Sequence, residues 1–126
     1  MIQRRSILNC ADNSGALKLQ CIGILKKGNA RYAEIGDLIT CSVKKAEPRK
    51  EIKKGDVVRA LVVRQKKPFR RKDGTYIRFD ENACVLIKKG HKGAIDMIGN
   101  RIFGPIPREI KELGYEKIAN LAPEIV

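Results

Sequence analysis

The sequence predicts a mainly β fold: a small barrel of five or six short strands, a projecting β-hairpin, and one or two short helices near the C-terminus. Three observations predict it. The apolar segments are short, rich in Val, Ile and Leu, and bounded by Gly, Asp and Asn. The pair Asp73-Gly74 is a strong hairpin signal. A chain of 126 residues can bury one core, and closing short strands into a barrel removes their exposed edges.

We expect the strands at residues 7–10, 17–25, 38–43, 57–63, 76–79 and 83–87. The third and fourth strands follow similar pairs, Gly36-Asp37 and Gly55-Asp56. Glycine adopts turn conformations easily, and aspartate can accept hydrogen bonds from nearby backbone amides. This likeness indicates shared turn chemistry and not a duplicated domain.

The segment 12–15, Asp-Asn-Ser-Gly, separates the first two predicted strands. An acid beside a hydroxyl could suggest a catalytic pair, but no histidine or lysine is placed locally to activate Ser14. A turn is therefore the favoured interpretation.

The predicted hairpin has its turn at Asp73-Gly74 and its arms at residues 64–72 and 75–79. The first arm is nearly all cationic, so we expect that it packs into a core on neither face. The hairpin should then project from the barrel.

The pattern changes after Gly104, where residues 105–107 predict a turn or a first helical position. A short helix is expected at 108–113, ending at Gly114, and a second helical stretch at 115–121, before Pro123. We treat the chain as a single domain, 1–126, with the barrel at about 1–104 and the short-helix region at about 105–126. This C-terminal region is slightly acidic, which suggests that it meets protein or solvent.

The charge balance indicates a polyanionic partner. Lys and Arg number 27 against 14 acidic residues, a formal net charge of +13. Nucleic acid is the first candidate. An anionic membrane is disfavoured because no segment joins a basic face to a continuous apolar helical face. We expect a soluble chain without a secretory signal or a membrane-spanning segment.

The cations form two clusters. The hairpin cluster, with six positive charges in the nine residues 64–72, contains Arg64, Lys66, Lys67, Arg70, Arg71 and Lys72. The loop cluster contains Lys44, Lys45, Arg49, Lys50, Lys53 and Lys54. A charge run is often a solvated face or a flexible tail, but both clusters lie between strands inside the chain. We therefore interpret them together as a phosphate-binding surface.

Catalysis, metal binding and cofactors are not expected. Cys10, Cys21, Cys41 and Cys84 have no metal-ligand spacing and lie in apolar stretches, so buried, reduced thiols are favoured over zinc ligands. Two disulfides stay open as an alternative. The single histidine, His91, lies in a basic Gly-rich stretch that favours contact with RNA or water over a role as a base.

The chain resembles the ribosomal protein L14 family of bacterial and organellar type over essentially its whole length. The residues that carry the resemblance are Ala60-Leu61-Val62-Val63, Asp73-Gly74, Phe79, Asn82, Val85-Leu86, the segments 11–16 and 101–105, and Leu121-Ala122-Pro123-Glu124.

This resemblance implies a five-stranded barrel that binds large-subunit ribosomal RNA in a bacterial cytoplasmic or an organellar ribosome. It implies ribosomal proteins L3 and L19 as neighbours, and bridges to small-subunit ribosomal RNA at the subunit interface. It also implies contact of a ribosome-silencing factor with Asn100, Arg101 and Lys117. Asn100 replaces the threonine common in the family, and the loop 88–97 is longer than the usual bacterial form.

Two other classes of function fit the sequence less well. A free single-strand nucleic-acid binder would need aromatic platforms for stacking bases. The six aromatic residues are Tyr32, Phe69, Tyr76, Phe79, Phe103 and Tyr115. They are not clustered on one strand, so we expect backbone and shape recognition instead of base stacking. A purely structural protein adaptor would not explain the charge of +13.

Overall fold

A computed structural model describes residues 2–25, 31–89 and 95–126. The strands are β1 (Ile7–Cys10), β2 (Ala16–Ile24), β3 (Leu38–Ala46), β4 (Val57–Arg64), β5 (Phe69–Arg70), β6 (Tyr76–Ile77), β7 (Ala83–Lys89), β8 (Ile95–Met97), β9 (Pro105–Ile106) and β10 (Glu124–Ile125). The helices are α1 (Glu109–Glu112) and α2 (Glu116–Leu121). All six predicted strands are present. The sequence patterns did not predict β8, β9 and β10.

Five strands close into a barrel in the order β1-β2-β3-β4-β7, and β7 returns to pair with β1. The closing pair is parallel, with Cys10 opposite Cys84, while the other neighbours are antiparallel. The far half of β7 pairs with β8, where Ile87 lies opposite Met97. The predicted five-stranded barrel is confirmed.

Alternating side chains fill the barrel. Along β3, Ile39, Cys41 and Val43 are fully buried, whereas the residues between them are partly exposed. Successive side chains of a strand point to opposite faces, so one face supplies the core and the other meets solvent. Burial of these apolar groups is the main stabilising contribution to the barrel.

Residues 60–63 of β4 and 83–87 of β7 are buried on both faces, which explains their continuous apolar sequences. In β4, Val62 belongs to the barrel interior and Leu61 to a second core outside it. The C-terminal region contributes Ile106, Ile110 and Ile118 to that second core. The barrel and the C-terminal region therefore share a hydrophobic interface.

The four cysteines come from different barrel strands and meet inside it. Cys21 lies opposite Cys41, and Cys10 lies opposite Cys84. All four are free thiols, as the favoured interpretation predicted, and none forms a disulfide. Burial and the neighbouring Asp12 raise the pKa of Cys10 to about 12, and burial raises that of Cys21. These thiols therefore stay protonated at neutral pH.

The two similar turns before β3 and β4 have the same geometry. Gly36 and Gly55 have φ values of 89° and 93°, in the left-handed region. Asp37 Oδ2 accepts a hydrogen bond of 2.7 Å from Glu34 N, and Asp56 Oδ2 accepts one of 2.9 Å from Lys53 N. The predicted turn chemistry is confirmed.

The predicted hairpin is present as the separate two-stranded sheet β5–β6. Its turn is closed by hydrogen bonds from Gly74 N to Arg71 O, 3.0 Å, and from Arg71 N to Thr75 O, 2.8 Å. This pattern makes a three-residue loop, not a two-residue Asp-Gly turn. Asp73 supports the loop by accepting hydrogen bonds from Thr75 N and Thr75 Oγ1, at 3.0 and 2.6 Å, and these bonds lower its pKa.

The C-terminal region contains the two predicted short helices. The first is capped by a backbone hydrogen bond from Leu113 N to Glu109 O, 3.0 Å. Residues 105–106 were predicted as a turn or helical start, and this was wrong: they form β9, which pairs in parallel with β10. The partner strand lies near the end of the sequence, so local patterns did not indicate it. Within the described residues, no helix has the length and apolar character needed to cross a membrane.

Candidate nucleic-acid interface

All six cations of the loop cluster have exposed side chains. Lys44 and Lys45 lie near the end of β3, and the other four lie in the connection to β4. That connection packs against the turn at 11–15: Glu47 N donates to Gly15 O at 2.8 Å, and a Cβ at residue 15 would lie 2.4 Å from Lys50 Cβ. The cations are thus presented by a packed loop, although Glu47 and Glu51 offset part of their charge.

Lys18 extends the loop cluster and was missed in the sequence. It is exposed on β2 and lies directly opposite Lys45 on β3. Like charges in directly opposite positions destabilise a sheet unless an anion lies between or above them. In the sequence, apolar and polar residues alternate along β2 around Lys18. This alternation indicates that Lys18 lies on the outer face of the barrel.

Four members of the hairpin cluster are exposed: Lys66, Lys67, Arg70 and Lys72. The first two lie with Tyr32 around an open groove of about 620 Å³ that is also lined by Gln3 and Asn82. Lys72 lies on the other side of the hairpin, next to Glu34 and Glu109. The side that carries Lys66 and Lys67 is therefore the more cationic one.

Arg64 does not project into solvent. Only 6% of the residue is exposed, because its Nη1 donates to the carbonyl oxygens of Phe103 and Pro105 at 2.8 and 3.1 Å. Its Nη2 forms an ion pair with Glu81 Oε1 at 3.0 Å. Burial lowers the pKa of Arg64, and Glu81 opposes that shift. The expectation that the first hairpin arm packs on neither face is wrong at Arg64, because its guanidinium is buried and bonded to groups inside the molecule.

Arg71 is also used within the molecule. Its Nε pairs with Glu109 Oε1 at 2.6 Å, and its Nη2 donates to Val126 O at 2.6 Å. The side chain is 9% exposed. The hairpin therefore packs against the C-terminal region. Neither Arg64 nor Arg71 can reach a phosphate without rearrangement.

The two clusters lie at opposite ends of the β3–β4 pair. These strands are antiparallel, and the loop cluster joins the end of β3 to the start of β4, whereas the hairpin cluster follows the end of β4. The eight residues of β4 separate the clusters by about 23 Å at roughly 3.3 Å per residue. The two clusters that were interpreted together as a phosphate-binding surface are therefore separated in space.

Asn100, Arg101 and Lys117 are exposed. Asn100 is nevertheless engaged, because its Oδ1 accepts a hydrogen bond of 2.6 Å from Asn13 Nδ2. Asn13 Oδ1 in turn accepts from the backbone amides of Asn100 and Arg101 at 2.9 and 3.1 Å. Lys117 lies on α2, which packs beside β8, the strand that leads into this loop.

Features that could suggest catalysis have structural roles. Ser14 is buried, and its hydroxyl donates to Asp12 at 2.6 Å; the same carboxylate is held by the backbone amides of Ser14 and Leu86. Among the described residues, no group of three or more His, Cys, Asp or Glu side chains is arranged to hold a metal ion. His91 and the middle of the loop 88–97 lie outside the described residues.

Comparison with protein families gives a match over every residue of the sequence. The family model described as ribosomal protein L14p/L23e matches residues 1–126.

Proposed function

Because the chain belongs to the ribosomal protein L14p/L23e family, we propose that it binds large-subunit ribosomal RNA through the loop cluster and the hairpin cluster. Proteins of this family are structural components of the large ribosomal subunit and not enzymes, so the chain is a structural ribosomal protein. The individual surfaces that contact the RNA are what we propose.

The observation that carries the proposal is the exposure of ten cations in two surfaces at opposite ends of the barrel. The exposed members are Lys44, Lys45, Arg49, Lys50, Lys53, Lys54, Lys66, Lys67, Arg70 and Lys72. A neutral partner would leave this charge uncompensated, whereas RNA supplies one phosphate per nucleotide. Two surfaces about 23 Å apart suit two separate RNA segments better than one short stretch.

The slightly acidic C-terminal region is proposed as the protein-facing side. It contains α1 and α2. Lys117 lies on α2, which packs beside β8, and β8 leads into the loop that carries Asn100 and Arg101. We assign to this side the ribosome-silencing factor and the neighbours L3 and L19, and to the subunit interface the bridges with small-subunit ribosomal RNA. The ribosome is bacterial and cytoplasmic, or organellar if the chain is organelle-encoded.

The proposal is tested by incorporation of charge-matched variants into large subunits. The loop variant carries Lys45→Ser, Lys53→Ser and Lys54→Ser; the hairpin variant carries Lys66→Ser, Lys67→Ser and Arg70→Ser. The control carries Arg108→Ser, Lys111→Ser and Lys117→Ser, which removes the same charge from the C-terminal region. We expect both cluster variants to leave the large-subunit fraction in sucrose-gradient sedimentation at high salt, while the control stays.

Arg71 is left intact in these variants, because it pairs with Glu109 and its loss would disturb the C-terminal region. Circular dichroism and thermal unfolding confirm that each variant is folded before it is compared. Equal loss of the control variant from the subunit would contradict the proposed division between an RNA-facing and a protein-facing side.

A further inference from the structure

A groove of about 640 Å³ lies between two connecting segments, residues 78–81 and 103–105. The residues that line it are Asn9, Cys10, Ala11, Arg64, Arg78, Phe79, Asp80, Glu81, Phe103, Gly104 and Pro105. Neither segment belongs to the basic surfaces described above. The groove is therefore a separate feature, and its chemistry is determined by the residues that line it.

Hydrogen bonds through Arg64 fix both walls of the groove. Arg64 donates to the Phe103 and Pro105 carbonyls of one wall and pairs with Glu81 of the other. The second oxygen of Glu81 accepts a hydrogen bond of 2.6 Å from Asn9 Nδ2. A groove with walls held in this way loses little conformational entropy when it takes a ligand.

Gly104 allows this close approach. It has a φ of 81°, and a Cβ at this position would lie 2.2 Å from Arg64 Nη1. A side chain there would displace the guanidinium from the carbonyls that it holds. The wall that carries Phe103 is thus built around a glycine.

The lining suits a flat, neutral, aromatic ligand with a polar edge. Phe103 is 55% exposed in one wall, and Phe79 is half-buried in the opposite wall. Arg78 and Asp80 are exposed and offer hydrogen-bond donors and acceptors. The cations Arg64 and Arg78 are matched by two acids, so the groove has no excess charge for a phosphate.

The groove lies next to the cationic side of the hairpin cluster. Phe79 N donates to Gln65 O at 3.1 Å, and Lys66 N donates to Asn82 Oδ1 at 2.8 Å. These bonds tie the 79–82 segment to the start of the hairpin. An RNA strand with phosphates on Lys66 therefore passes close to Phe79 and its neighbours, which form one wall of the groove.

We propose that this groove takes one unpaired nucleobase of the bound RNA, which stacks on Phe103 and places its polar edge near Arg78 and Asp80. The inference rests on the proposed RNA binding and adds a base contact to it. Aromatic rings are effective platforms for unpaired bases. Phe79 and Phe103 are 24 positions apart in the sequence, and only the fold brings them to one groove.

The first test compares Phe103→Ala with Phe103→Tyr in binding to isolated large-subunit ribosomal RNA. Loss of a base stack lowers the affinity about 5- to 150-fold, and the tyrosine variant keeps most of it. The salt dependence should be unchanged in both variants, because it counts phosphate contacts. Tyr76→Ala is the matched control, since it removes a ring that is 68% exposed and lies outside the groove.

An unchanged affinity of Phe103→Ala overturns the base contact while leaving phosphate binding intact. Weak, salt-independent binding of the unsubstituted chain would instead contradict the proposed function itself. Thermal unfolding of Phe103→Ala should match the unsubstituted chain, because the ring is largely exposed.

The second test identifies the class of ligand. A benzophenone amino acid at position 103 is photoactivated in assembled subunits, and the RNA is mapped by reverse-transcription stops. A crosslink to a single nucleotide supports the proposal. Crosslinks to protein alone would assign the groove to a ribosomal protein segment and overturn it.

Discussion

At the scale of single residues, Asp12 has a larger role than the turn predicted from the sequence. It is only 4% exposed. Its Oδ1 accepts hydrogen bonds from Cys10 Sγ, Ser14 N and Ser14 Oγ at 2.9, 3.1 and 2.6 Å, and its Oδ2 accepts one from Leu86 N at 2.7 Å. The carboxylate thus ties the β1–β2 turn to β7. Leu86 is 74 positions away, so no local pattern could indicate this contact.

Asp12→Asn should destabilise the chain although the two side chains have the same shape. An amide has one acceptor oxygen, so its NH₂ group would face either the Leu86 amide or the Ser14 and Cys10 donors. Leaving a buried donor without an acceptor costs about 1–3 kcal/mol, which urea unfolding can measure.

Asp73→Asn is the control for this measurement. Asp73 is an exposed carboxylate that accepts hydrogen bonds from Thr75 and forms a longer ion pair of 3.8 Å with Arg108. Its loss should lower the free energy of unfolding less than Asp12→Asn does. Equal losses for both variants would contradict the structural role given to Asp12.

For strands, turns and helices, the local sequence patterns predicted those features that depend on nearby residues. The turns at Gly36 and Gly55 and the two short helices depend on neighbours within a few residues, and all were predicted. The packing of the hairpin was not predicted, because Glu109 and Val126 lie 38 and 55 positions from Arg71. Charge density indicated an arm that extends into solvent, but Arg71 and Arg64 are both held by contacts with distant residues.

Arg71→Ser should loosen the contact between the hairpin and the C-terminal region, whereas Arg70→Ser should not, because Arg70 is exposed. Removing charge-assisted hydrogen bonds costs about 1.5–3 kcal/mol. The expected result is faster amide hydrogen exchange in β10 and at Val126, whose amide donates to Ile106 O at 2.9 Å. Exchange that is equally fast in both variants, or unchanged in Arg71→Ser, would contradict this coupling.

At the scale of the whole molecule, the sequence predicted the barrel and ten of the twelve proposed phosphate contacts as exposed cations. It did not predict how they are arranged. The clusters are 10 positions apart in the chain, between Lys54 and Arg64, yet β4 carries them to opposite ends of the barrel. The burial of Arg64 was not predicted either. Its side chain lies in a basic run of the sequence, but it is buried because distant carbonyl oxygens and a carboxylate accept its hydrogen bonds.

Binding through the two basic surfaces is tested by the salt dependence of binding to isolated large-subunit ribosomal RNA. The logarithm of the affinity should fall against the logarithm of the salt concentration with a slope of about −4 or steeper, as six or more phosphate contacts require. The loop and hairpin variants should each make this slope shallower by about 2 to 3, and the C-terminal control should leave it unchanged. A nearly flat slope for the unsubstituted chain, or an equal change in the control, would contradict binding through two basic surfaces.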